Sequence, residues 1–219
     1  MLISEKLNSV IRTLLIDSLE LKPNLTFSEL AKRADIAPSM AKKLALKLIR
    51  SDYAMIGKGI KGIKLTQPKK LIKAWSYCYS IRELEKAEFI AAERPQYVML
   101  KIANAAAKNG LKYAFTLFSA TEHISPYIAP SDTYLYIRKE DLKAWQNLFY
   151  SQNIQSAEGQ GNVICLLVDD AYFEGAWTAR EVTVVSLPQL YADLFSYGSR
   201  GEEAAEEIMN LINRRLNNV

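Results

Sequence analysis

The sequence predicts an α+β protein: an N-terminal winged helix-turn-helix followed by a C-terminal α/β domain with a small mixed sheet. Near the N-terminus, apolar residues recur at helical spacing in three segments that prolines separate. A glycine-rich tip between two short β-branched runs follows the third segment. Beyond Gly110, runs rich in β-branched and aromatic residues alternate with helical segments, which indicates α/β structure.

The chain of 219 residues exceeds the usual size of one domain, and we expect domains over residues 1–75 and 76–219. Residues 1–75 hold 15 Lys/Arg against 6 Asp/Glu, whereas residues 76–219 hold 13 against 18. A basic module joined to a mildly acidic one favours an anion, above all nucleic acid, as the partner of the first. Charge alone also allows a solvated lysine-rich surface.

The first helix places six apolar residues on one face and ends before Pro23; they are Leu7, Val10, Ile11, Leu14, Leu15 and Leu19. Thr26 and Glu29 have the spacing of a capping box, which predicts the start of a second helix that ends near Ala34. A turn over residues 35–37 leads to Pro38, which suits the first position of a third helix.

The third helix separates into two faces on a helical wheel. Its inner face is apolar: Ala41, Leu44, Ala45 and Leu48. Its outer face is almost wholly cationic, with Ser39, Lys43, Leu46 and Arg50 flanked by Lys42 and Lys47. Such a helix fits the major groove of DNA, where its outer side chains reach base edges and phosphates.

Residues 53–56 and 63–65 are predicted to be two strands joined by the tip GKGIKG. Three helices followed by a hairpin are the order of a winged helix-turn-helix, whose wing lies on the neighbouring DNA backbone. The predicted DNA-binding residues are Ser39, Lys42, Lys43, Leu46, Lys47, Arg50, Lys58, Lys61 and Lys64. A helical hairpin with a solvated basic rim is the alternative.

In the second domain, residues 68–80 are predicted to form a helix or a linker. A capping box over Ser80 and Glu83 predicts a helix through residues 80–94, and another helix runs from Pro95 to Gly110. Residues 133–138, 162–168 and 181–185 suit strands. Two capped helices close the chain, opened by Ser186-x-x-Gln189 and Ser199-x-x-Glu202.

Few residues suggest catalysis. The single histidine, His123, has no nucleophile at a spacing that singles it out, and a structural or surface role is favoured. Asp169 and Asp170 could hold a metal, but adjacent residues of an extended chain point in opposite directions, so a turn is favoured. Cys78 and Cys165 are expected to be free thiols. We expect no catalytic residue, metal or cofactor.

The aromatic residues of the second domain are expected to pack in its core: Trp145, Phe149, Tyr150, Tyr172, Phe173 and Trp177. We also expect a cytoplasmic protein. No apolar run approaches the roughly 20 residues of a membrane span, and the N-terminus lacks the pattern of a signal peptide.

Four segments after the winged-helix region, LIKAWS, FTLFSATEHISPYIAPSDTYLYI, VSLPQLYADL and SRGEEAAEEIM, carry a family resemblance. In this order, over about residues 25–208, the chain resembles the AbiEi-type antitoxins of type IV toxin–antitoxin systems. The resemblance implies a winged helix that represses its own operon at inverted repeats. It also implies a C-terminal domain that counteracts a nucleotidyltransferase-type toxin with little or no stable complex. Ser119, Tyr127, Arg200 and Gly201 match the family's pattern as a possible effector-domain site.

The leading hypothesis is therefore a sequence-specific DNA-binding regulator, an autorepressing antitoxin that can dimerise on double-stranded DNA of its own promoter. One alternative is a nucleotidyl- or phosphoryl-transfer enzyme that uses Asp169, Asp170 or Glu181. Another is a module whose acidic half binds a protein. The chain is not expected to be the toxin. A nucleotidyltransferase has a Gly-Ser pair followed by Asp-x-Asp, whereas no aspartate follows Gly198-Ser199.

Overall fold

The computed structural model describes residues 4–20, 25–57, 62–126 and 128–217. The chain is α+β, and its packing divides it into two compact units. Unit 1 contains Met1–Arg82 and Ser186–Val219, and unit 2 contains Glu83–Val185. This division differs from the predicted boundary after residue 75, because the last two helices pack with the N-terminal ones. The functions assigned to the two predicted domains stay a prediction.

Unit 1 combines helices with a small antiparallel sheet, and elements are numbered along the whole chain. Its described helices are α1 (Glu5–Leu19), α2 (Phe27–Arg33), α3 (Pro38–Arg50), α4 (Pro68–Cys78), α8 (Leu187–Tyr197) and α9 (Ser199–Asn217). Its described strands are β1 (Leu25–Thr26), β2 (Ala54–Ile56) and β3 (Gly62–Leu65), in the order β1-β3-β2. These bounds confirm the three predicted N-terminal helices and the two strands after them.

Local sequence explains where α2 and α3 begin. The Thr26 hydroxyl accepts a hydrogen bond from the Glu29 amide at 3.2 Å, and the Glu29 carboxylate accepts one from the Thr26 amide at 3.0 Å. The predicted capping box is therefore confirmed. Pro38 is the first residue of α3, where its missing N–H is not needed.

Buried polar contacts join α1 to its neighbours within unit 1. The Arg12 Nε donates a hydrogen bond to the Gln189 side-chain oxygen at 2.6 Å, and the Gln189 side-chain NH2 donates one to the Asp193 carboxylate at 2.7 Å. All three residues have 0% exposed surface. The Trp75 indole N–H donates to Asn8 at 2.8 Å. These bonds fix α8 and α4 against α1, because a buried polar group without a partner is costly.

Close backbone packing fixes the junction of α8 and α9. A Cβ placed on Gly201 would lie 2.1 Å from the carbonyl oxygen of Leu194. Only glycine allows this approach of α9 to α8. The Ser186 hydroxyl caps α8, as predicted, by accepting a hydrogen bond from the backbone N–H of Gln189. Ser199, which was also predicted to cap a helix, is instead the first residue of α9.

Unit 2 contains a mixed seven-stranded sheet in the order β7-β4-β8-β6-β5-β10-β9. Its described strands are β4 (Lys86–Ile90), β5 (Tyr113–Phe115), β6 (Thr133–Arg138), β7 (Gln155–Ala157), β8 (Val163–Val168), β9 (Trp177–Ala179) and β10 (Val182–Val184), and its described helices are α5 (Pro95–Asn109), α6 (Leu117–Ile124) and α7 (Leu142–Ser151). The pairs β6–β8 and β5–β10 are parallel, and the other pairs are antiparallel. Every residue of β8 is buried, as expected of a central strand.

Two sequence predictions for unit 2 are wrong. The predicted helix over residues 80–94 is instead a short 3-10 turn, Ile81–Glu83, followed by strand β4. Pairing of β4 with both β7 and β8 outweighs the capping signal, because sheet partners supply its backbone hydrogen bonds. Tyr150 was expected in the core but is 81% exposed on α7, whereas Trp145 and Phe149 are buried.

No helix in the described parts of the chain is long and apolar enough to cross a membrane.

Candidate nucleic-acid interface

Helix α3 has one buried and one exposed face. Its buried residues are the four that the wheel predicts, Ala41, Leu44, Ala45 and Leu48. On the other side Ser39, Lys42, Lys43, Lys47 and Arg50 are exposed, and Leu46 is partly buried. The apolar face packs on α1, α2 and β2, which leaves the cationic face open to solvent.

The cations of α3 carry no ion pair within the described residues. The nearest acidic residues in sequence are Asp35 and Asp52, which lie before and after the helix and are both exposed. Both have left-handed backbone (φ 51° and 60°), a conformation that aspartate tolerates better than most residues. The turns before and after α3 therefore explain why aspartate occurs at these two positions.

Strand β3 carries a further exposed cation. Lys64 is exposed and pairs across the strands with Met55 of β2, itself 42% exposed. Its neighbours Ile63 and Leu65 are buried, so the alternation of the strand turns Lys64 outward. Lys58 and Lys61 lie outside the described residues.

The residues of the suggested effector-domain site fall in both compact units. In unit 2, Ser119 is buried, and its hydroxyl accepts a hydrogen bond from the Tyr134 amide at 2.9 Å and donates to the Asp132 carbonyl at 3.3 Å. In unit 1, Arg200 is exposed on α9 and Gly201 is buried against α8. Tyr127 lies outside the described residues. Ser119 and Gly201 therefore have structural contacts that account for their residue types.

His123 is partly buried near the end of α6, and neither ring nitrogen has a hydrogen-bond partner among the described residues. Burial lowers the pKa of its imidazole, and the positive charge of Arg180 lowers it further. Both effects favour the neutral form of the ring.

Asp169 and Asp170 follow strand β8 and are exposed. The Asp170 carboxylate accepts a hydrogen bond from the Lys112 ammonium at 2.7 Å, which lowers the pKa of Asp170. Glu181 is exposed in the turn between β9 and β10. Within the described residues, no group of three His, Cys, Asp or Glu side chains could hold a metal ion. Cys78 and Cys165 are free thiols, as predicted.

Three further exposed cations were not assigned a role from the sequence. Lys69, Lys70 and Lys73 lie on α4, in a segment predicted only to be a helix or a linker. The sequence contained a signal for a helix with a cationic face. Leu71, Ile72 and Trp75 have the spacing of the buried face of a helix, and the three lysines lie on its other face.

Comparison with models of known protein families identifies a family for this chain. A family model described as "Transcriptional regulator, AbiEi antitoxin, Type IV TA system" matches residues 64–214, which is more than half of the chain. The match begins at Lys64, so α2 and α3 lie outside it. No curated protein and no solved structure matches the chain. The chain belongs to the AbiEi antitoxin family of transcriptional regulators of type IV toxin–antitoxin systems.

Proposed function

We propose that this antitoxin represses its own operon by binding double-stranded DNA with unit 1 as a winged helix-turn-helix. One observation carries the proposal: the exposed face of α3 bears Lys42, Lys43, Lys47 and Arg50, with no ion pair among the described residues. Opposite this face, apolar side chains fix the helix in the unit. A rigid helix with an open cationic face is the arrangement that major-groove binding requires.

The elements around α3 support the same proposal. Helix α2 packs against α3, and β2 and β3 follow it as an antiparallel pair that carries Lys64. In a winged helix-turn-helix, α3 would enter the groove and the β2–β3 pair would lie on the adjacent backbone. Ser39 at the start of α3 would reach base edges, and the lysines would contact phosphates.

A titration of the full-length protein with DNA from upstream of its own gene tests the proposal. We expect binding in preference to random DNA at physiological salt, and protection of an inverted repeat by two copies of the chain. Log affinity should fall linearly with log salt, at a slope of roughly −0.9 for each phosphate neutralised. Equal affinity for upstream and random DNA would contradict sequence-specific repression.

The family assignment supports a second activity, which we propose is the neutralisation of a nucleotidyltransferase-type toxin encoded beside this gene. Arg200 is the candidate effector residue that can be tested most directly, because it is exposed and its side chain is not part of the core. Co-expression with the toxin should restore growth, and Arg200→Ala should weaken this rescue without loss of folded protein.

A matched variant separates the two activities. Lys43→Ala combined with Lys47→Ala removes two cations from α3, so it should weaken repression and leave rescue from the toxin unchanged. Loss of rescue in the α3 variant, with DNA binding lost at the same time, would show that neutralisation acts through DNA binding. Full rescue by Arg200→Ala would remove Arg200 from the effector site.

A further inference from the structure

A second group of exposed cations lies in unit 1, on helix α4. Lys69, Lys70 and Lys73 are exposed on one face of α4, and we call them the α4 basic row. The opposite face, with Leu71, Ile72 and Trp75, is buried. The described residues offer the row no ion pair, and residues 53–82 contain seven Lys/Arg and no Asp/Glu.

The position of these lysines is unfavourable for the helix itself. Lys69 and Lys70 lie in the first turn of α4, which contains no acidic residue, although the helix dipole disfavours cations there. Lys69 and Lys73 are four residues apart, where like charges repel. Helices α2 and α9 show the opposite arrangement: α9, for example, has Glu202 in its first turn and Arg214 and Arg215 in its last turn. A local cost that brings no gain in folding is typical of a functional surface.

Hydrogen bonds hold the start of α4 at the end of α3. The Gln67 side chain donates to the Asp52 carbonyl at 2.8 Å, and the Thr66 amide donates to the Tyr53 carbonyl at 2.9 Å. Arg50 and Lys69 are each two residues from this junction. The α4 basic row therefore begins where the cationic face of α3 ends.

We infer that the α4 basic row is an additional contact to the phosphate backbone of duplex DNA, which extends the footprint of α3. The inference rests on the proposed function, because α3 brings the duplex to unit 1 and the start of α4 is held at the end of α3. Phosphates supply the negative charges that the row lacks. Contacts of this kind carry no sequence information, so the row contributes equally to binding of operator and random DNA.

The salt dependence of DNA binding by the full-length protein tests the inference. Lys69→Ala combined with Lys73→Ala removes two neighbouring cations, and the slope of log affinity against log salt should become shallower by about 1.8. Affinity at physiological salt should fall roughly tenfold, by the same factor for operator and random DNA. The melting temperature should stay the same or rise by about 1–2 °C, because unfavourable charges leave the helix.

The matched control is Lys108→Ala combined with Lys143→Ala. These two lysines are also exposed and helical, but they lie in unit 2. The control should leave the slope unchanged.

If the wild-type chain binds its operator and the α4 variant keeps the wild-type slope and affinity, the inference is overturned and the role of α3 stands. If the wild-type chain does not bind DNA, both proposals fail. An equal effect of the two double variants would show that only net charge matters, and that also overturns the inference.

Discussion

The two compact units handle surface cations differently. Among the described residues of unit 2, five of the nine Lys/Arg are in ion pairs: Lys86 with Glu88, Lys101 with Glu93, Lys112 with Asp170, Arg138 with Asp141, and Lys139 with Glu85. In unit 1, the exposed cations of α3, β3 and α4 have no ion pair among the described residues. Unit 1 has a formal net charge of +8, with 19 Lys/Arg against 11 Asp/Glu.

This difference shows that charge count and charge placement carry separate information. Exposed ion pairs contribute little to stability, but they satisfy the charges within the unit. Cations without partners raise the electrostatic potential of their surface and attract an anionic ligand. The buried charge of unit 1, by contrast, has hydrogen-bond partners, as the contact of Arg12 with Gln189 shows. Unit 1 therefore combines hydrogen-bonded polar groups in its interior with cations on α3, β3 and α4 that have no ion pair among the described residues.

The largest effect is expected where the charge of unit 1 is buried. Arg12→Ala removes the cation from a network that also contains Gln189 and Asp193, all fully buried. Leaving buried polar groups unpaired should lower the free energy of unfolding by about 3–5 kcal/mol. Urea unfolding measures the loss, and hydrogen exchange at the amides of α1 assigns it to unit 1.

The exposed Arg214 of α9 provides the control for this prediction. Arg214→Ala should change the free energy of unfolding by less than about 0.5 kcal/mol. Similar losses in the two variants would show that burial of Arg12 does not set the energy of its contacts.

The second prediction concerns the packing that brings the C-terminal helices into unit 1. Gly201→Ala places a methyl group against the Leu194 carbonyl, which should destabilise the protein by roughly 1–3 kcal/mol. In Gly110→Ala the new methyl group meets no atom within 4 Å, but φ there is +64°, so backbone strain alone should cost about 1 kcal/mol. Thermal unfolding compares the two. A smaller loss at Gly201 than at Gly110 would show that α8 and α9 separate at little cost.

The third prediction tests the open cationic face directly. Lys43→Ala and Lys47→Ala should each weaken DNA binding by about 1 kcal/mol, since each removes a contact to phosphate or a base edge. Both side chains are exposed, so the melting temperature should stay close to that of the wild type. Fluorescence anisotropy with upstream DNA measures the affinity. Wild-type binding by both variants would show that α3 faces away from the duplex.

The smallest effect is expected at a paired cation of unit 2. Asp170→Asn removes the partner of Lys112, but both side chains are about half exposed, so stability should change by less than about 1 kcal/mol. Because the folded state lowers the pKa of Asp170, the contribution is present at neutral pH and is lost as pH falls through the acidic range where the carboxylate gains a proton. Urea unfolding at neutral and acidic pH should therefore show a difference between the two proteins only at neutral pH. A larger difference in acid would contradict this sign.

Local sequence signals predicted α2 and α3 well, because the information lies within a few residues. The capping box of Thr26 and Glu29, Pro38 at the first position, and the apolar spacing of Ala41 to Leu48 each specify the structure without distant contacts. Residues 86–90 show the opposite case. A capping signal at Ser80 suggested a helix, but two sheet partners far away in sequence made this segment the strand β4.

The candidate interface could likewise be predicted only in part from local sequence. The cations of α3 follow from a helical wheel, whereas the exposure of Lys64 depends on which side of β3 the rest of unit 1 covers. The α4 basic row could be placed only once α4 was known to be a helix fixed at the end of α3. Lys58, Lys61 and Tyr127 lie outside the described residues, so their roles stay predictions.

The sequence by itself determined the helices of the N-terminal region, the polarity of α3 and the excess of positive charge before residue 75, since periodicity and composition are properties of neighbouring residues. Only the tertiary structure decided that residues 186–219 return to unit 1 and that β4 joins a seven-stranded sheet. The physical reason is that both outcomes depend on contacts between residues far apart along the chain, such as the hydrogen bond from Arg12 to Gln189.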